Sequence, residues 1–164
     1  MAFRAAMTGH QVFTTLHTNS AMGAIPRLGD IGVKPDIMSG NIIGVIGQRL
    51  VRSLCSHCKT PRPAEDYEQV ILGVEEPVTL YDAVGCKRCN GIGYRGRRLV
   101  IEVLTMDEEL NELIAAGATL GQFEQHARSQ GFRTMADDGV RLILQGVTTV
   151  EELSRVVDLT KRLR

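Results

Sequence analysis

The sequence predicts an α/β fold that carries an inserted tetracysteine lobe and ends in a C-terminal helical bundle. Three observations lead to this prediction. Four cysteines occur as two Cys-x-x-Cys pairs, runs rich in β-branched residues lie on both sides of the pairs, and capped segments with helical spacing follow residue 105. Paired cysteines around a loop are typical of a small metal-stabilised lobe, and the change of periodicity separates strands from helices.

The first third of the chain is predicted to alternate short helices and strands. The elements are a helix end over residues 1–8, a strand over residues 11–16, a helix capped by Asn19 or Ser20, a helix from Pro35 to Gln48, and a strand over residues 50–54. β-branched and apolar residues (QVFTTL) predict the first strand. Pro26 lies inside the second helix, so that helix either begins late, with Pro26 in its first turn, or is kinked there.

The rest of the chain is predicted to form an inserted lobe, one strand and four capped helices. Three prolines and several acidic residues mark residues 59–85 as an insertion with one short helix over residues 67–72. Alternation predicts a strand over residues 98–104. The four helices begin after Asp107, at Thr119, at Thr134 and after Thr149, where Thr149 and Glu152 fit a capping box.

The cysteines are the most specific feature of the sequence. Cys55 pairs with Cys58 and Cys86 with Cys89, and two such pairs are the usual form of a tetrahedral thiolate zinc site. Two disulfides or four free thiols are the alternatives, and the absence of a signal peptide disfavours disulfides. A zinc ion held by four sulfurs has no open coordination position, so its role is expected to be structural.

The amino-acid composition and the net charge exclude some classes of function. Hydrophobic residues make up 43% of the 164 residues and aromatic residues 4%, which predicts a globular chain with an aliphatic core. Lys and Arg number 19, as do Asp and Glu, and this zero net charge argues against nucleic acid as a partner. The longest central uncharged run, residues 37–48, is too short to span a bilayer. A cytoplasmic location is therefore expected.

Four further segments of the sequence are distinctive: TGHQVFTTLHTN (8–19), GQRLVRSLCSHCK (47–59), GCKRCNGIGYRGR (85–97) and DGVRLILQGVTTVEELSRVV (138–157). Together they resemble one protein family, the GspE/PilB ATPases of type II secretion and type IV pilus assembly. The first is similar to the "His box" of these ATPases, the next two to their cysteine pairs, and the last to their C-terminal helices. The resemblance covers only the C-terminal portion of such a protein.

The resemblance implies the C-terminal part of a RecA-like ATPase domain in a hexameric motor that extrudes pseudopilin or pilin subunits. Residues 1–54 would then be a partial RecA-like core, 55–97 the zinc lobe, and 98–164 a core strand followed by a helical domain. No Gly-x-x-x-x-Gly-Lys-Ser/Thr stretch occurs in the chain. The chain is expected to follow the Walker B segment of a longer parent that binds ATP and Mg²⁺, and to be inactive alone.

Three residues outside the cysteines are candidates for nucleotide contact. The His box implies that His17, and less directly His10, sense the γ-phosphate as catalytic residues. From spacing alone, a structural role is favoured for both histidines, and the match to the His box reverses that preference. Arg49 could approach a phosphate through its planar guanidinium, with a surface ion pair as the alternative.

The resemblance also implies partners and leaves one rival function. The expected partners are other copies of the chain in a hexamer and the inner-membrane platform protein, with peripheral association at the inner membrane. Residues 86–93 (CKRCNGIG) also fit the Cys-x-x-Cys-x-Gly-x-Gly pattern of zinc-dependent co-chaperones that bind proteins. Those modules repeat the pattern, whereas the segment after Cys58 lacks the glycines.

Overall fold

The computed structural model describes residues 2–162 as a mixed α/β structure with eight α-helices and four strands in that range. The helices are α1 (Ala2–Met7), α2 (Ala24–Asp30), α3 (Pro35–Met38), α4 (Asp66–Leu72), α5 (Glu108–Ala115), α6 (Leu120–Ser129), α7 (Met135–Leu144) and α8 (Val150–Ser154). The strands are β1 (Gly44–Leu54), β2 (Lys59–Pro63), β3 (Thr79–Ala83) and β4 (Tyr94–Thr105). The predicted α/β class is confirmed.

The strands form two separate two-stranded sheets, β1 with β4 and β2 with β3. At one end of the first sheet, the Met106 N–H donates to the Ile43 carbonyl at 3.1 Å. At the other end, the Cys55 N–H donates to the Gly93 carbonyl at 2.9 Å, so β1 and β4 run antiparallel. β2 and β3 are also antiparallel, with Pro61 opposite Tyr81.

The chain divides into two compact units, and both long strands run from one unit into the other. The first unit comprises residues 1–47 and 102–134, and the second comprises residues 48–101 and 135–164. This division differs from the three segments expected from the sequence, because α7 and α8 belong to the same unit as the cysteine lobe. The three segments stay a prediction about the longer parent.

Each unit has its own apolar core. In the first unit, the buried residues are Ala21, Met22, Leu28, Met38, Leu104, Leu110, Ile114, Phe123 and Ala127. In the second unit, they are Val51, Ile71, Leu72, Leu80, Val100, Met135, Val140, Leu142, Ile143, Val150, Leu153 and Leu159. Helices α7 and α8 pack closely, since a Cβ at Gly139 would lie 2.4 Å from the Leu153 methyl carbons. Aliphatic side chains supply nearly all of both cores, as the composition predicts.

Helix caps follow the sequence signals closely. The Asp107 carboxylate accepts a hydrogen bond from the Leu110 N–H at 2.8 Å and begins α5. Thr119 and Gln122 form a reciprocal capping box at the start of α6. Helix α2 begins at Ala24 and has Pro26 in its first turn, which settles the two readings of that proline in favour of a late start.

Two predicted elements in the first third are wrong. Residues 11–18 are irregular, because no described strand pairs with them and an extended segment without a partner has no ladder to stabilise it. The helix predicted from Pro35 to Gln48 ends at Met38, and β1 begins at Gly44. The β-branched residues Ile46 and Val51 favour a strand, and burial alternates along the first half of β1.

A fully buried carboxylate joins β2 to α4. Both guanidinium nitrogens at the Arg62 tip donate to the Glu68 carboxylate, at 2.5 and 2.6 Å. The same carboxylate accepts from the Glu65 N–H at 2.8 Å and so caps α4. The Arg62 Nε donates to Asp82 on β3 at 2.7 Å. Hydrogen bonds from Arg62 outweigh the effect of burial and lower the pKa of Glu68.

We predict that Glu68→Gln destabilises the protein at neutral pH by about 2–3 kcal/mol, because it removes the buried carboxylate and leaves Arg62 with only the exposed Asp82 carboxylate as an ion-pair partner. The pKa of Glu68 lies below its unfolded value, near 4.3, so its contribution is complete above that pH and lost as the pH falls through the folded pKa. Urea unfolding from pH 7 to pH 3 measures this. The exposed Glu76→Gln is the control, and equal midpoints for both variants at pH 7 would contradict the prediction.

Candidate functional site

The four cysteines of the sequence converge on one point in the second unit. Their sulfur atoms all lie within 4.8 Å of one another. The Sγ–Sγ distances are 4.0 Å for Cys55 with Cys86 and 3.8 Å for Cys58 with Cys89. A tetrahedral zinc ion with Zn–S bonds of about 2.3 Å separates its sulfurs by about 3.8 Å. The arrangement therefore fits a zinc ion, and Cys55 and Cys89 are buried while the other two are half-buried.

Each cysteine pair lies on a tight turn beside a strand end. Cys55 directly follows β1, and the N–H groups of Cys58 and Lys59 donate to its carbonyl at 3.2 and 3.0 Å. In the second pair, the N–H groups of Cys89 and Gly91 donate to the Cys86 carbonyl at 3.2 and 2.9 Å. Because both turns point the two side chains of a pair in the same direction, each contributes two adjacent sulfurs to one site.

Glycines allow the second turn to approach its neighbours. Gly93 has φ +76°, and a Cβ there would lie 2.7 Å from the Ala83 backbone. A Cβ at Gly85 would lie 2.3 Å from the Gly91 carbonyl oxygen. These contacts leave no space for a side chain, so the Gly-rich stretch after Cys89 shapes the cysteine turn and does not precede a helix as a phosphate-binding loop would.

Backbone donors act on one sulfur in particular. Burial opposes ionisation of Cys89, yet the N–H groups of Cys86 and Gly93 donate to its Sγ at 3.1 and 3.3 Å. These donors lower the pKa of the Cys89 thiol to about 6. Burial raises the pKa of the Cys58 thiol to about 12. The thiolate form of Cys89 is therefore favoured at neutral pH, whereas a metal ion has to displace the proton of the Cys58 thiol.

Polar contacts join the cysteine lobe to the segment before α8. The Leu54 N–H donates to the Val147 carbonyl at 2.8 Å, and the Lys59 Nζ donates to the Gly146 carbonyl at 2.7 Å. The Thr148 hydroxyl, which is 1% exposed, donates to the Arg52 carbonyl at 2.9 Å. Residues just before and just after the first cysteine pair are therefore held by one short segment, 146–148.

An arginine, a buried glutamate and a tyrosine extend this connection. The Arg52 guanidinium donates to the Glu152 carboxylate at 2.5 and 2.8 Å and lies 4.2 Å from the centre of the Tyr94 ring. The Tyr94 hydroxyl lies 3.0 Å from the Thr149 hydroxyl. Thr149 caps α8 as predicted, but the Glu152 side chain contacts Arg52 instead of completing a capping box. The sequence holds no signal for this contact, because Arg52 and Glu152 lie far apart in the chain.

The predicted nucleotide-contact residues lie outside the cysteine site. His10 and His17 belong to the first unit, are exposed, and flank the irregular segment; the His10 Nδ1 lies 3.1 Å from the Thr8 hydroxyl. Arg49 lies on β1 in the second unit, and its Nη1 donates to the Gln48 carbonyl at 3.0 Å. The four cysteines are thus brought together, whereas the roles of His10, His17 and Arg49 stay predictions.

We predict that the purified chain binds about one zinc ion, because four sulfurs match a tetrahedral site. Cys58→Ser should lower zinc affinity at least about tenfold and increase hydrogen exchange in residues 48–101 and 135–164, since a lost metal ligand weakens the lobe. Elemental analysis and exchange mass spectrometry measure both. Ser56→Ala, an exposed change in the same turn, is the control. Reduced protein purified with no metal would contradict the prediction.

Comparison with known proteins identifies the family. The profile described as "Type II/IV secretion system protein" matches residues 1–155. The chain is 46% identical to "Type II secretion system protein E" of Pseudomonas aeruginosa and 43% identical to "Type II secretion system ATPase E" of Vibrio cholerae, covering 95% of this chain and 31% of each relative. It is 42% identical to "Type IV pilus assembly ATPase PilB" of Thermus thermophilus, covering 96% of this chain and 18% of that protein.

The chain therefore spans less than a third of the length of these relatives. Within residues 2–162, no helix combines the length and the apolar character needed to cross a membrane. The family match extends over both compact units and includes both cysteine pairs. The order of motifs in the sequence, the convergence of the four thiols and the match over residues 1–155 agree, and the chain belongs to the type II/IV secretion system protein family.

Proposed function

We propose that this chain is the C-terminal part of a motor ATPase that couples ATP hydrolysis to the extrusion of pseudopilin or pilin subunits. The observation that carries the proposal is the family match over residues 1–155. Relatives with this match are named as ATPases of type II secretion and of type IV pilus assembly. Because the chain spans 31% and 18% of those two relatives, the activity belongs to a longer parent.

In the parent, residues 1–54 contribute to a RecA-like core and several copies assemble into a hexamer. One feature of the structure supports a larger core. Phe13, in the irregular segment, is 85% exposed, which suits a segment that becomes covered in a larger domain.

His17 and His10 contact the γ-phosphate in the assembled motor, and Arg49 contributes a cationic donor to the nucleotide. Both histidines are exposed, so their rings can reach a phosphate that another part of the parent holds. An imidazole ring N–H can donate to a phosphate oxygen and can change its charge near neutral pH. The phosphate cradle and the Mg²⁺ ligands lie in the part of the parent that this chain lacks.

The zinc lobe serves as a rigid docking element and not as a catalyst. Four sulfurs complete a tetrahedral coordination sphere, so no position is open for a substrate. The end of β1, directly before the lobe, is joined to α8 through Arg52 and Glu152, which lets a force on the lobe reach the C-terminal helices. Its proposed partner is the cytoplasmic part of the inner-membrane platform protein, with the motor peripheral to that membrane on the cytoplasmic side.

We predict that the 164-residue chain alone neither binds Mg-ATP tightly nor hydrolyses it. His17, His10 and Arg49 supply only a few contacts, which corresponds to roughly millimolar affinity after the entropic cost of association. Titration calorimetry and phosphate release measure this. In a longer protein that includes the phosphate-binding half, His17→Ala should lower turnover about tenfold or more with ATP affinity nearly unchanged.

The matched control for that experiment is His126→Ala, which removes a histidine on α6 that contacts Asp107 at 2.8 Å. Turnover should be preserved in this variant. Micromolar binding of ATP by the 164-residue chain would mean that it holds a complete nucleotide site, and the division of the motor proposed above would be wrong.

We predict that Cys86→Ser in the full-length parent reduces secretion or piliation more than basal ATP hydrolysis. The reason is that the zinc lobe transmits force to its partner without contacting the nucleotide. Secretion or twitching assays and phosphate release on the purified hexamer measure the two effects, with Ser56→Ala, an exposed change in the first cysteine turn, as the control. Equal losses of both activities in an intact hexamer would contradict the docking role.

A further inference from the structure

Positive charge is concentrated in one part of this neutral chain. Residues 83–101 contain five Lys or Arg residues and no Asp or Glu. The rest of the chain contains 14 Lys and Arg residues and all 19 Asp and Glu residues, so it carries a net negative charge. We call Lys87, Arg88, Arg95, Arg97 and Arg98 the basic segment. The positive charge of these five residues is larger than the negative charge that a zinc ion with four thiolate ligands would add to the same lobe.

The backbone conformation of β4 exposes the three arginines that this strand contributes to the basic segment. In β4, Val100, Glu102 and Leu104 are buried, and the residues between them are more exposed, as expected of a strand. Residues 95–99 are instead all exposed. Gly96 has φ +81°, a left-handed conformation that interrupts the alternation. Arg95, Arg97 and Arg98 therefore all reach the solvent.

Among the residues that the structure describes, these cations have no carboxylate partner. Among residues 2–162, Lys87, Arg95, Arg97 and Arg98 form no ion pair, and Arg88 contacts only the His57 ring, at 2.7 Å. Two aliphatic residues close to them in the sequence, Val84 and Ile92, are 61% and 59% exposed. Guanidinium groups without an ion pair, together with exposed aliphatic residues, are a combination that suits binding more than solubility.

We propose that the basic segment binds an acidic polypeptide that presents carboxylates together with aliphatic side chains. Four of its five cations are arginine, whose planar fork pairs with carboxylates in two parallel hydrogen bonds and is enriched in protein interfaces, where lysine is depleted. Nucleic acid is disfavoured because the nearby aromatic ring, Tyr94, is half-buried and stacked under Arg52, so it cannot stack on bases.

The inference rests on the proposed docking role of the zinc lobe and names the chemistry of its partner. Either proposal, the docking role or the acidic character of the partner, can be wrong while the other holds. The Cys86→Ser secretion assay tests docking in the motor, whereas binding to the 164-residue chain tests the surface itself.

The experiment is fluorescence anisotropy with the zinc-loaded chain and a labelled helix-forming peptide of repeated Glu-Glu-Leu-Glu units. The peptide should bind, and its affinity should fall as salt rises. The triple variant R95Q/R97Q/R98Q should bind at least about tenfold more weakly. The variant R95K/R97K/R98K, which keeps the charge, should also bind more weakly than the wild type, because it loses the planar fork.

The matched control is R4Q/R27Q/K34Q, which makes the same charge change at three exposed positions of the first unit and should preserve binding. Ile92→Ser should weaken binding of the leucine-containing peptide and not of a peptide with Gln in place of Leu. Zinc content and circular dichroism verify that each variant is folded. No binding at low salt, or equal binding by the wild type and R95Q/R97Q/R98Q, would overturn the proposal. Arginine-dependent binding to phosphatidylglycerol vesicles that exceeds binding to the peptide would overturn it in favour of a lipid surface.

Discussion

The antiparallel pairing of β1 with β4 is the constraint on which both compact units depend. Leu104 on β4 belongs to the core of the first unit, and Val51 and Val100 belong to the core of the second. The two strands therefore supply buried side chains to both cores from one ladder. The first cysteine pair directly follows β1, and four residues separate the second pair from the start of β4. The position of the metal site is thus a consequence of this pairing.

Two buried carboxylates connect strands to helices in the second unit, which contains the cysteine lobe. Glu68 joins β2 to the start of α4 through Arg62, and Glu152 joins the end of β1 to α8 through Arg52. Burial opposes ionisation of Glu152, but hydrogen bonds from Arg52 lower its pKa, so it stays charged near neutral pH. Because each carboxylate also accepts a backbone N–H, the charge is satisfied by several donors and the two helices are held in defined positions.

Local chemistry made much of this structure predictable. Asp107 and Thr119 mark helix starts because a short polar side chain satisfies N–H groups that the helix leaves free. The cysteine cluster was predictable because the spacing within each cysteine pair is a local property, and only the meeting of the two pairs depends on the fold. The irregular conformation of residues 11–18 was not predictable, since a strand needs a partner that its own residues do not encode.

Contacts between residues far apart in the sequence account for the other differences between the predictions and the structure. Glu152 follows Thr149 at the spacing of a capping box. Nothing in the neighbouring sequence indicates that the Glu152 carboxylate pairs with Arg52 instead. The candidate nucleotide residues His10, His17 and Arg49 rest on resemblance to the family, because their chemistry depends on a phosphate that another segment holds. Sequence patterns therefore described helix starts and metal ligands better than they described pairings across the fold.

The location of the cysteines between β1 and β4 has a consequence for the order of folding. These strands are separated by residues 55–93, and closing so long a loop costs chain entropy before their ladder can form. The smaller β2–β3 sheet and α4 lie within that loop and are more local. Once both cysteine pairs gather around an ion, the end of β1 and the start of β4 are already adjacent. The ion then takes the place of the tight turn in a hairpin, so we expect zinc to accelerate folding as well as to stabilise the folded state.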